Sequence, residues 1–155
     1  MNLEEAEAFA LDQLNNNLPV DLSYHSKAHV LDVLQAAMMY AEAEGLNDHE
    51  KKLLQTAVLF HDIGFVIQSA DHERIGCQMA TETLPRYGYS ETDIQQICGM
   101  IMATKIPQSP RNKLEEIIAD ADLDYLGRDD FWKISSLLFQ ELKAYNVLSD
   151  PHEWN

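Results

Sequence analysis

Residues 53–65 read Leu53-Leu54-Gln55-Thr56-Ala57-Val58-Leu59-Phe60-His61-Asp62-Ile63-Gly64-Phe65, and no other stretch constrains the fold as tightly. From Leu53 to Phe60, apolar residues fall on nearly every side of a helix, so that helix has to be covered on several faces. Gly64 predicts a left-handed terminal residue, with His61 and Asp62 in the last turn, where the negative end of the helix dipole favours a cation. Adjacent side chains on a helix diverge by about 100°, so such a pair shares one ion only near an end where the backbone can adjust. For an isolated His-Asp pair, a backbone hydrogen bond and a loop cap would be sufficient explanation. At the end of a buried helix, the pair calls for further partners.

The rest of the chain reads as helices in short succession, without strand alternation, repeats or low-complexity segments. A first amphipathic helix over 2–18 ends at Asn15-Asn16-Asn17 and Pro19. Ser26 caps a second, which runs to about Glu44 and stops at Gly45. Asn47 with Glu50 has the role of a capping box for the central helix. A loop from Gly64 to Ala70 leads to a helix over about 72–87, and Ser90 with Asp93 opens another to Ala103. Pro107 and Pro110 mark a loop, and Asn112 with Glu115 starts a helix to Leu126, ended by Gly127. Asp129 or Asp130 caps a last helix over 129–148. The expected fold is all-α, a bundle of about seven helices.

At 155 residues and 46% hydrophobic content, the chain suits a single domain over 1–155 with a core that needs no staples. No apolar run reaches membrane-spanning length, and the start Met1-Asn2-Leu3-Glu4-Glu5 lacks the basic residues of a signal peptide, so a cytoplasmic protein is expected, without a membrane partner. Cys77 and Cys98 lack metal spacing and read as reduced core residues.

Helical angles locate the partners of His61 and Asp62. With Val33 at zero, His29 falls about 40° away, on the buried stripe shared with Ala37 and Tyr40. With Ile118 at zero, Asp122 falls at about 40°, beside Leu114 and Tyr125, whereas Asp120 and Asp124 fall at about 200° and 240°. Asp122 therefore points inward and the other two outward. A lone histidine on an apolar stripe is ordinarily a satisfied core residue, and a buried carboxylate ordinarily pairs with an arginine. Here no basic residue occupies an obvious core position, and the histidines and carboxylates need one another.

In order, His29, then His61-Asp62, then Asp122 resemble the H…HD…D signature of the HD-domain metal-dependent phosphohydrolases. Tyr24-His25-Ser26-Lys27-Ala28-His29 resembles the YHNxxHT opening of one bacterial single-domain subgroup, with Ser26 in place of Asn and Val30 in place of Thr. Leu59 to Phe65, His72-Glu73, Ala103-Thr104 and Asp120 to Arg128 resemble its later blocks. The resemblance implies a helical HD domain with a metal site within 25–126 and a divalent ion held by His29, His61, Asp62 and Asp122. Such ligation suits Mn, Fe, Zn, Co or Mg, at one site with a second as a further candidate. The chain ends at Asn155, where those relatives continue with another helix, so part of one wall is expected to be missing or to come from a partner subunit in a homo-oligomer.

An ion held by two imidazoles and two carboxylates keeps open positions for water and a phosphate oxygen, which makes hydrolysis of a phosphate ester the natural reaction. Asp62, His72 and Glu73 are the candidate catalytic residues, with Asp62 able to bridge to a second ion and His72 equally well read as a surface residue near a helix start. His25, just outside its helix, and Lys27, Lys105 and Arg128 are candidate substrate contacts. The formal charge of −15, from 11 basic against 26 acidic residues, excludes a nucleic-acid polymer as an expected partner. A small phosphorylated substrate, a nucleotide or related metabolite, remains, because a divalent cation supplies the local positive charge. The alternatives are an HD-type di-iron oxygenase and a non-catalytic nucleotide-binding regulatory module.

Overall fold

The computed structural model describes residues 1–18, 26–124 and 137–141. Among these residues there is no strand, and the helices are α1 (Leu3–Asn17), α2 (Lys27–Ala43), α3 (Asp48–His61), α4 (His72–Thr83), α5 (Glu91–Ala103) and α6 (Lys113–Asp122), with a further helical segment at 137–141. The all-α expectation holds. None of the described helices is long and apolar enough to cross a membrane.

The helix starts follow from local chemistry. Asn47 Oδ1 accepts from Glu50 N at 2.8 Å while Glu50 Oε1 accepts from Asn47 N at 3.0 Å, a reciprocal pair that satisfies two otherwise orphaned amides. Ser90 and Asp93 form the same arrangement at the start of α5, and Ser26 Oγ caps α2 by accepting from His29 N. Gly45 ends the α2 turn at φ 69°, where a side chain would be strained.

Around α3 the bundle closes: α1, α2, α4, α5 and α6 all pack on it. Every residue from Leu53 to His61 except Gln55 is buried, which is why its apolar residues appear on all sides in sequence. Phe60 is fully buried and stacks on Phe9 of α1, ring centroids 6.1 Å apart. The site therefore stands at the end of the most enclosed helix.

Four local expectations are corrected. Gly64 is not left-handed; it lies in a 3-10 turn, Ile63–Val66, within the stretch read as loop. Its lack of a side chain serves close packing instead, since a Cβ there would collide with the backbone carbonyl of His72. The helix expected over 72–87 ends at Thr83 and tightens into a 3-10 turn, Leu84–Tyr87, because Pro85 has no N–H to continue the ladder. The cysteines are half-buried rather than core, and face each other across α4 and α5. The helix read over 112–126 has Asp122 as its last residue and Leu123 as its cap; Leu126, Gly127 and most of the helix read over 129–148 lie outside the described residues.

Candidate metal centre

Four elements deliver the side chains to one place. The Ser26 cap sets His29 in the first turn of α2, α3 ends at His61 with Asp62 as its cap, α4 begins at His72-Glu73, and α6 ends at Asp122. Helix termini can converge in this way because their side chains are released from the 100° spacing of the helix interior.

His29 Nε2 lies 3.1 Å from Asp122 Oδ1 and 3.5 Å from Asp62 Oδ2. His61 Nε2 lies 3.3 Å from the same two oxygens. His29, His61 and Asp122 each offer a ligand atom within 4.8 Å of one another, and Asp62 touches both imidazoles. His61 is fully buried, and its Nδ1 donates to the Val58 carbonyl at 2.6 Å, which turns Nε2 towards the two carboxylates. That Nε2 has no hydrogen-bond partner of good geometry. A buried lone pair facing two carboxylate oxygens needs a positive charge between them, and either a proton or a cation can provide it.

The protonation energetics agree. Burial pushes the His61 pKa down, but Asp62 and Asp122 outweigh it, and with the Val58 carbonyl they hold it up at about 10. Burial pushes Asp122 up, and the hydrogen bond from His29 together with the neighbouring His61 imidazole more than reverses this, holding the carboxyl well below the usual range. An electron-rich nest that grips a proton so tightly also suits a divalent ion, and the donor set fits one.

Beside it stands a second cluster. His72 Nε2 lies 3.3 Å from Asp62 Oδ1 and 3.2 Å from Glu73 Oε2, so Asp62 directs one oxygen to each cluster. The ring of His72 stacks on Phe65 with centroids 4.0 Å apart, and its Nδ1 lies 3.2 Å from the Ser69 carbonyl. His72 is thus fixed in orientation rather than loose on the surface.

An open cleft of about 300 Å³ exposes this centre, lined by Asp62, Ser69, Asp71, His72, Glu73, Thr104, Lys105, Ile106 and Asp122. Lys105 is on its rim and exposed, whereas Lys27, at the first turn of α2, does not line it. His25 and Arg128 lie outside the described residues. Asp120 is exposed, and Asp124 accepts a hydrogen bond from Tyr40 Oη at 2.7 Å. Sequence reasoning passed over Ser69, Asp71 and Ile106. Asp71 was detectable as the residue before a helix start, yet its side chain makes no cap bond and its backbone is left-handed, φ 55°, a conformation aspartate tolerates better than most residues.

Residues 27–124 match the HD domain family. The chain is similar in structure to a predicted HD superfamily hydrolase from an uncultured Thermotogales bacterium, with a TM-score of 0.70 and 20% identity, over 93% of this chain and 85% of that one. At that identity the likeness speaks to the fold. No curated protein matches the chain.

Proposed function

We infer that this chain, which belongs to the HD domain family of metal-dependent hydrolases, hydrolyses a small phosphate ester, a nucleotide or related metabolite. The observation that carries this reading is the buried His61 Nε2, aimed with His29 at the oxygens of Asp62 and Asp122. Those four residues would hold the divalent ion. Bound there, such an ion lowers the pKa of a water towards about 7 and offsets charge on a phosphoryl oxygen.

The protein's own groups divide the remaining work. Asp62 has one oxygen on each cluster, so it can orient the attacking water while the other oxygen fixes His72. Glu73, buried and 3.2 Å from His72 Nε2, can take up a proton from that water, and the His72 imidazole can return it to the departing oxygen. Phe65 and the Ser69 carbonyl keep the His72 ring in the required plane. Lys105 on the rim draws an anion into a molecule whose net charge of −15 would otherwise repel it. A cleft of about 300 Å³ suits a small ester.

One observation favours a second ion: Asp62 Oδ1, His72 Nε2 and Glu73 Oε2 form a further donor group beside the first. Metal analysis of protein purified without chelator, combined with phosphate release from nucleotides, cyclic dinucleotides and sugar phosphates, decides between these readings. Phosphate release with bound metal is the expected result. Two tightly held irons with oxygen consumption, or tight nucleotide binding without turnover, would replace it with an oxygenase or a regulatory module.

A further inference from the structure

On the side of α4 that packs against α5, the two cysteines of the chain oppose each other. The Cys77 thiol donates to the Cys98 carbonyl at 3.5 Å, and the Cys98 thiol donates to the Cys77 carbonyl at 3.6 Å. Residues 21 apart in sequence reach this reciprocal arrangement only if their side chains meet across the helix pair. Neither is sealed in the core, and Cys98 lines an open cavity of about 420 Å³ with Thr81, Pro85, Tyr89, Ile94 and Gln95. The Thr81 hydroxyl lies 3.8 Å from Cys98 Sγ.

We propose that Cys77 and Cys98 form an oxidisable dithiol, in which Cys98 attacks a hydroperoxide entering from the cavity and Cys77 resolves the product to a disulfide joining α4 to α5. The two sulfurs are not equivalent. When Cys98 has lost its proton, the Cys77 S–H can turn from the carbonyl to the anionic sulfur. That bond, helped by Thr81 and opposed by burial, draws the Cys98 thiol down to about 7, while the same bond and burial push Cys77 up. The anion thus forms on the sulfur that lines the cavity, and the resolving thiol keeps its proton until it is needed.

The chemistry balances. The Cys98 thiolate attacks one peroxide oxygen, the O–O bond breaks, and the departing oxygen takes a proton to leave as water or an alcohol, leaving a sulfenic acid. The Cys77 sulfur then attacks the sulfenic sulfur, the S–O bond breaks, and hydroxide leaves with the Cys77 proton as a second water. Two electrons pass from the thiols to the hydroperoxide. The helices so joined both reach the metal cleft, α4 beginning at His72 and α5 running into Thr104 and Lys105.

The full-length, metal-loaded protein is treated with hydrogen peroxide and followed by thiol counting, intact mass and peptide mapping. Both thiols should disappear together, with loss of two hydrogens and a Cys77–Cys98 linked peptide within one chain. Iodoacetamide on the untreated protein should label Cys98 about tenfold faster than Cys77, a measurement that needs no variant. In Cys77→Ser, dimedone should trap a sulfenic acid on Cys98. Thiols that survive peroxide, cross-links only between chains, or faster labelling of Cys77 would overturn the proposal.

Discussion

Asp62 is the residue on which the centre depends most, because its two oxygens serve different neighbours. Oδ2 faces His29 and His61 while Oδ1 faces His72, and a carboxylate can do both where an imidazole offers one ligating nitrogen. Asp62→Asn keeps the size and removes the charge. The expected outcome is weakened metal retention and turnover lowered by at least about 100-fold, the scale seen when groups around a metal are disturbed. Folding should survive, since the substitution also removes a buried negative charge. Metal content, helical circular dichroism and phosphate release compared with wild type check this, and a folded variant that kept both metal and rate would sink the assignment.

At the level of elements, Gly64 carries the most specific claim. The 3-10 turn Ile63–Val66 passes so close to the start of α4 that only a hydrogen fits between Gly64 and the His72 carbonyl. Gly64→Ala should therefore push α4 away from the turn, costing about 1–3 kcal/mol as overpacking does, and displace His72 and Glu73 from Asp62. Thermal unfolding and phosphate release should both fall; an alanine variant with wild-type values of each would show the contact to be slack. The role of this glycine was not legible in sequence, where a glycine after a helix reads first as a left-handed cap. Caps whose two partners lie three residues apart, Asn47 with Glu50 and Ser90 with Asp93, were legible because the interaction is local. So was the meeting of His29 and Asp122, since the periodicity of each helix fixes which face is covered. The orientation of His72 was not, because Phe65 and the Ser69 carbonyl hold it through contacts that arise only once the turn has folded.

For the molecule as a whole, the proposed metal centre should link stability to both pH and metal. The acidic excess, 26 Asp and Glu against 11 Lys and Arg, disfavours compaction by self-repulsion, so a buried positive charge matters beyond its own neighbours. In the metal-free protein that charge is the His61 proton. Its pKa is raised from 6.5 to about 10 on folding, so its stabilisation is fully present below pH 6.5 and lost as pH rises through about 10. A divalent ion must expel this proton to bind, so its apparent affinity should rise about tenfold per pH unit over the same window. Metal present at about a thousandfold over its Kd adds roughly 4 kcal/mol to folding. Chelation should therefore lower the unfolding temperature, and the gap between metal-loaded and chelated protein should widen from pH 7 to pH 9. The measurement is thermal unfolding of both forms at each pH and constant ionic strength, with Asp62→Asn alongside to separate binding at this centre from general screening of the acidic surface. A gap that stayed constant or narrowed with rising pH would mean that His61 does not exchange its proton for the metal.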